Sequence, residues 1–301
     1  MASSSSPSSQ STRAEAPLRD ASATVARPFR LTGRNRVFFF LTAWLVVLMP
    51  FLFWWSTWFG RPLSTTQIGE YLNDEKHPRH IQHALVQLGD RMARQDATTK
   101  RWYPDIVRLA SHPVEEVRNT DAWVMGQDTS SQAFHEALLK MLQDPAIIVR
   151  GNAALSLVRY GDPSGRSQVV ALLQPSIIRA PGKGRIADID KDGTSVHQGG
   201  LVAKIQAGQN IIEVRTPISG RIHSLSAAVG ASVAEGAELA VVDPSEEQTW
   251  EALRALYLIG QPEDLPVIIP YEHDLPDISN RVRQQATLAE TAVRNKANKE
   301  R

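Results

Sequence analysis

Two periodicities divide the chain. Between Ala180 and Asp243 apolar and polar residues alternate in short runs, as from Arg185 to Ile189 and from Arg221 to Leu225. Glycine sits at each intervening turn, which predicts short strands joined by tight turns rather than helix. The stretch is written twice. Ala180-Pro181-Gly182-Lys183-Gly184-Arg185-Ile186 returns as Thr216-Pro217-Ile218-Ser219-Gly220-Arg221-Ile222, and the spacing Gly193, Val196, Gly199 returns as Gly230, Val233, Gly236. Two copies predict a small, two-fold-related β sandwich. Elsewhere apolar runs of helical character end on glycine: Ala84 to Gly89, Asp121 to Gly126, Ala153 to Gly161 and Ala252 to Gly260. Glycine there suits the left-handed residue that closes a helix. The first three of these glycines are about 35 residues apart, the spacing of a helical repeat. Val117-Arg118, Val149-Arg150 and Val282-Arg283 open such helices, each followed by a small residue, Ala122, Ala153 or Ala286, that lets a neighbouring helix approach.

From Gly161 to Gly260 the spacing grows to about 99 residues, roughly 64 more than one repeat and close to the length of the duplicated stretch. Pro163 and Pro262 follow the two glycines at the same offset, so the strands read as inserted between helical repeats. Further helices are expected from about Thr65 to Asn73 and, highly charged, from about Ile278 to Arg301. Val37 to Phe59 holds no charged residue and, at about 1.5 Å per helical residue, is long enough for a hydrocarbon core of about 30 Å. Trp54, Trp55 and Trp58 gather at its far end; Arg27, Arg30, Arg34 and Arg36 precede it and only Arg61 closely follows. That asymmetry predicts a single-pass bacterial inner-membrane protein with a cytoplasmic N-terminus and its bulk in the periplasm. The expected organisation is a disordered cytoplasmic tail at 1–36, a transmembrane helix at 37–59, helical repeats at 64–175, the β domain at 176–246, and a resumed repeat with C-terminal helix at 247–301.

Two resemblances sharpen this. Asp144-Pro145, Val149-Arg150 and Asn152-Ala153-Ala154-Leu155 resemble HEAT-like repeats. Glu213 to Gly220, followed by the Val229-Gly230, Val233, Gly236 and Leu239-Ala240 spacing, resembles the biotinyl/lipoyl-domain family, whose relatives include the barrel-sandwich domains of membrane-fusion adaptors. They imply a multidomain α and β chain: a HEAT-like α-solenoid with an inserted barrel-sandwich hybrid domain behind an N-terminal transmembrane helix. In that family a lysine at the hairpin tip carries the cofactor. Here the position falls on Gln209, which has no amine to acylate, and Lys204 lies within the preceding strand, so no cofactor is expected. The tip Gly208-Gln209-Asn210 is instead a candidate partner-binding site. Membrane-fusion adaptors insert a long helical hairpin between their sandwich halves, whereas about ten residues separate Ile205 from Pro217, which favours a general scaffold over a docking tunnel.

A formal charge of +1 gives no expectation of nucleic acid as a partner, and the absence of cysteine excludes disulfides and thiol chemistry. No nucleophile elbow, zinc-protease helix or phosphate loop is present. Gly182-Lys183-Gly184 is a strand-entry turn, as its duplicate shows, and Asp188, Asp190 and Asp192 lack the closing glutamate of a calcium loop. His77, His80 and His83 recur every third residue, but Pro78 argues against His77 and His80 sharing a helix, so no metal or catalytic residue is assigned. Trp102, Tyr103 and Trp123 sit within apolar helix patterns and are expected in the core. The expected function is a non-enzymatic, membrane-anchored scaffold or adaptor for protein partners of an envelope complex, such as a transport system. The alternatives are an envelope metal-handling protein or enzyme using His80 and His83, and a lipoyl or biotin carrier, which Gln209 disfavours.

Overall fold

The computed structural model describes residues 62–273, 275 and 278–299, together with 42, 44–46 and 48–50. The chain divides into two units, Met1–Arg61 and Pro62–Arg301, and in the first the described residues are helical. No helix among the described residues is long and apolar enough to cross a membrane. The span expected at 37–59 lies largely outside the described residues, and the short described pieces within it do not amount to one. The transmembrane helix is therefore corrected, and with it the inner-membrane and periplasmic placement and the fold class that included it. The described chain is mixed α and β, with two antiparallel four-stranded sheets.

Helices α1 (Thr65–Leu72), α2 (Pro78–Ala93), α3 (Tyr103–Leu109), α4 (Glu115–Met125), α5 (Gln132–Met141), α6 (Ile147–Arg159) and α7 (Arg166–Ala171) precede the strands; α8 (Glu246–Ile259), α9 (Leu265–Ile268), α10 (Pro270–His273) and α11 (Asn280–Lys299) follow them. Each long helix buries one face and leaves polar residues on the other. In α11 the buried positions are Val282, Ala286, Ala289 and Val293, spaced three or four apart, amid arginines, lysines and glutamines. Helices α2, α4, α6, α8 and α11 pack side by side in that order, with α1, α3, α5 and α7 against them. One core runs through Ile68, Leu85, Met125, Leu157, Leu256 and Val293, so helices before and after the strands share it. Each such side chain contributes about 1.5–3 kcal/mol by leaving water. Hydrogen bonds join the two stretches: Tyr271 Oη donates to the Leu173 carbonyl at 2.6 Å, Arg166 Nη1 to Asp264 Oδ1 at 2.8 Å, and Gln248 Nε2 to the Leu172 carbonyl at 2.9 Å.

The Val-Arg pairs have a local purpose. Arg118 Nη1 donates to the carbonyls of His112 and Pro113 at 2.8 and 3.1 Å, and Arg150 Nη1 to those of Asp144 and Pro145 at 2.7 and 3.0 Å. Each arginine thus satisfies the carbonyls of the turn leading into its own helix, while the valine beside it enters the core. Helix-closing handedness explains Gly161 but not the other three glycines. Of Gly89, Gly126, Gly161 and Gly260, only Gly161 has a positive φ, +77°. Gly89 and Gly126 are small because of what covers them: an added Cβ would stand 2.6 Å from the Trp123 ring and 2.5 Å from Ser156 Oγ.

Strands β1 (Ser176–Arg179), β2 (Gly184–Ile189), β3 (Ser195–Val196), β4 (Leu201–Ala207), β5 (Asn210–Arg215), β6 (Gly220–Leu225), β7 (Ser232–Val233) and β8 (Glu238–Pro244) form sheets of order β1-β8-β6-β3 and β5-β4-β2-β7. Exchanging the first four strands with the last four converts one order into the other. The duplication extends to details: both middle pairs slip register at equivalent places, between Ile186 and Asp188 and between Ile222 and Ser224. Gly230 N–H donates to the Ile186 carbonyl at 2.8 Å, and Gly193 N–H to the Ile222 carbonyl at 2.9 Å. Gly184 and Gly220 answer one steric demand, since a Cβ would lie 2.5 Å from the Gln206 carbonyl oxygen and 1.8 Å from that of Asp243. The sheets enclose their own core around Ile186, Ile205, Ile222 and Val242, against which Ile147 of α6 also packs.

Candidate functional site

Most large apolar side chains of the helical row are inside, yet several of its helices show such residues on the surface, among them Trp123 on α4, Tyr257 and Leu258 on α8 and Leu288 on α11. Trp123 is 38% exposed and Leu258 52%, so neither is a core residue. Hydrogen bonds between neighbouring helices brace this face: Asn152 Nδ2 donates to Asn119 Oδ1 at 2.6 Å and Ser156 Oγ to the Ala122 carbonyl at 2.8 Å. A cavity of about 400 Å³ opens among Trp123, Leu155, Leu258, Arg159, Glu251 and Arg254. A second, of about 270 Å³, shares Arg254 and Leu258 and is bounded by Trp250, Tyr257 and Leu288. The Arg281 guanidinium lies 4.2 Å over the Trp250 ring, a cation–π contact that carries positive charge to the rim.

Trp123 was expected in the core with Trp102 and Tyr103, and this is corrected. The last two are half-buried against the core, and the Tyr103 hydroxyl donates to Asp128; burial, then that carboxylate, pushes its pKa up to about 12. Trp123 instead lies across Gly89 with one side open. A signal for the face existed in α8, where Ala252, Leu253, Ala255, Leu256 and Ile259 complete a buried stripe and leave Tyr257 and Leu258 outside it.

A histidine cluster lies between α1 and α2. His77 takes the position before α2 and Pro78 its first turn, so His77 and His80 do not share a helix, as Pro78 implied. They nevertheless meet on Asp74: His77 Nδ1 and His80 Nδ1 lie 2.9 and 2.7 Å from its Oδ2, and the two rings are 5.1 Å apart. Hydrogen bonds from His80 and His77 hold the Asp74 carboxyl below the usual carboxylate range. His83 stands apart, its Nε2 2.9 Å from Gln87 Nε2. The groups that meet are thus Asp74, His77 and His80, and His83 is not one of them. Asp188, Asp190 and Asp192 form no such grouping with a third ligand among the described residues.

The hairpin tip is a two-residue connection, Gly208-Gln209, between paired Ala207 and Asn210. Gly208 has φ +64°, the conformation a tight antiparallel turn demands at its first central position. Asn210 and Gln209 are exposed. Lys204 sits within β4, opposite Asp188 on one side and Glu213 on the other.

No protein-family model and no curated protein matches the chain. A solved structure described as a single-chain, multi-domain long-chain acyl-CoA carboxylase is similar over 47% of this chain and 16% of its own length, at 14% identity and a TM-score of 0.23. The chain thus spans about a sixth of that protein, and a likeness this slight carries no argument about fold or activity.

Proposed function

We propose that the protein is a non-enzymatic scaffold that binds a partner protein on the face formed by α4, α6, α8 and α11. The observation that carries the reading is the pair of adjoining cavities, in which Trp123, Tyr257, Leu258 and Leu288 are left exposed beside the half-buried Leu155 on a braced row of helices. Aromatic and arginine side chains in a rigid concave setting are what binding hot spots consist of. Arg159 and Arg254 line the first cavity, Arg254 paired there with Glu251 at 3.4 Å, and Arg281 lies over Trp250 at the edge of the second, so positive charge exceeds negative around the apolar floor and the fitting occupant is an acidic amphipathic segment of another protein. The hairpin tip is the other place where a partner can dock, and Gln209 disfavours its use as an acylated carrier.

A photo-crosslinking residue at Leu258 tests this in cells that make the protein, with a second placed at Gln209. The expected result is one dominant adduct from Leu258 whose partner peptide is acidic, lost when Arg159 and Arg254 are both changed to glutamate. An adduct from Gln209 alone moves the site to the hairpin. No adduct from either, or one indifferent to the charge reversal, refutes the reading.

A further inference from the structure

The cluster between α1 and α2 is built from the side chains that borderline divalent metals select, and it is separate from the helical face. One ligand atom each from Asp74, His77 and His80 lies within 4.8 Å of the others, and the carboxylate already sits within 3.0 Å of both rings. Zinc binds imidazole nitrogen and carboxylate oxygen at about 2.0–2.2 Å, which sets tetrahedral ligands about 3.3 Å apart. The carboxylate–imidazole separations of 2.9 and 2.7 Å lie somewhat below that value and all three atoms lie within 4.8 Å, so an ion can replace the hydrogen bonds after a small outward shift of the rings.

Three features hold the ligands in place without the ion. The Asp74-to-His77 turn is closed by a 3.0 Å bond from His77 N–H to the Asp74 carbonyl. Proline at position 78 fixes the chain direction as α2 begins. The Tyr71 ring stacks on His80 at 4.4 Å and 11°, restricting its rotation. The neighbouring acid is committed elsewhere, Glu75 accepting from Arg108 at 3.2 Å and from His112 at 2.9 Å. The Val114 N–H bonds His112 Nδ1 at 3.1 Å, which puts that ring's proton on the nitrogen facing Glu75. One carboxylate and two imidazoles suit zinc-class ions; calcium and magnesium want more oxygen ligands.

We infer that Asp74, His77 and His80 form a three-ligand site for a divalent transition ion of the zinc class, with the fourth position open to solvent. The test is calorimetric titration of the full chain with zinc chloride, with magnesium chloride as the comparison. The expected result is one zinc per chain and no magnesium. Asp74→Asn, His77→Ala and His80→Ala should each weaken zinc binding on the order of tenfold or more, with helical circular dichroism unchanged because none of the three is a buried residue. His83→Ala should leave it unchanged. Absence of stoichiometric zinc, or its retention in the His77→Ala/His80→Ala double variant, overturns the assignment. So does an equal loss in His83→Ala.

Discussion

Asp121 is the most demanding residue in the fold. It lies in the middle of α4, which packs between α2 and α6, with 0% of its surface exposed and neither carboxylate oxygen hydrogen-bonded among the described residues. Burial pushes its pKa well above the usual carboxylate range. Arg108 pulls the other way, but its guanidinium is engaged by the Leu72 carbonyl at 3.0 Å, by Glu75 at 3.2 Å and by Asp105 at 3.6 Å. The folded protein therefore keeps a proton that the unfolded chain releases above about pH 3.9. Below that pH both states are protonated and the carboxyl adds no pH dependence. Above it, each pH unit up to the folded pKa removes about 1.4 kcal/mol of stability. Asp121→Ala deletes the unpartnered group, which should stabilise by on the order of 1–3 kcal/mol for the unpaired carboxyl, with about 0.5 kcal/mol more from helix propensity and the proton-linked penalty added to these as pH rises. The thermal midpoint should rise by about 2–4 °C per kcal/mol in a body of this size. The assay is urea unfolding followed by far-ultraviolet circular dichroism from pH 5 to 8, with Asp121→Asn as a near-isosteric companion that loses the pH dependence but keeps a buried polar group. A stability difference between wild type and Asp121→Ala that does not widen with pH refutes the reasoning, as does a less stable alanine variant.

Three further outcomes follow from the packing. Gly220→Ala should cost at least about 1–3 kcal/mol, because its Cβ would meet the Asp243 carbonyl oxygen at 1.8 Å; Gly184→Ala, at 2.5 Å from the Gln206 carbonyl, should cost less, and equal midpoints in denaturant would count against the steric argument. Arg118→Ala strips Asp144 of a two-pronged pair at 2.6 and 2.9 Å and should cost about 3–5 kcal/mol at pH 7. Burial alone would raise the Asp144 pKa, but Arg118 and the Ala146 N–H hold it lowered, so this stability is present above about pH 3.9 and disappears as pH falls through the depressed folded value; a deficit in Arg118→Ala that persists undiminished in strong acid would contradict the pairing. Tyr271→Phe removes the bond to the Leu173 carbonyl and should lower stability by about 1 kcal/mol, measurable as an earlier unfolding midpoint with an unchanged denaturant slope.

The residues that could be understood from the chain alone are those whose requirement is in their own backbone. Gly193, Gly199, Gly230 and Gly236 have φ between +72° and +87°, a conformation that costs other residues free energy, so their repeated spacing marks the strand turns directly. Pro163 and Pro262 likewise each open a short 3-10 turn, where a missing N–H and a fixed φ do no harm. Pro78 kept His77 out of α2 for the same kind of reason.

What could not be read depends on which side chain lies opposite. Gly89 needs the Trp123 ring and Gly126 needs Ser156, and both partners come from the next helix along the row, some 30 residues away in sequence. Assigning those glycines to helix ends used a rule about backbone handedness where the cause was contact, and the same error put Trp123 in the core: the periodicity of α4 says that the indole flanks an apolar stripe, not that the neighbouring surface stops short of covering it. The histidine cluster fails in the same way, since its third member sits before the proline, on a turn that helical spacing cannot follow. Asp121 is the extreme instance. Asp121 opens the apolar run that ends at Gly126, and nothing in that run says that the carboxylate is fully buried once α4 is packed among its neighbours. A charge placed there survives because it can be neutralised by a proton, so the packing that hid it from the sequence is also what makes its stability contribution depend on pH.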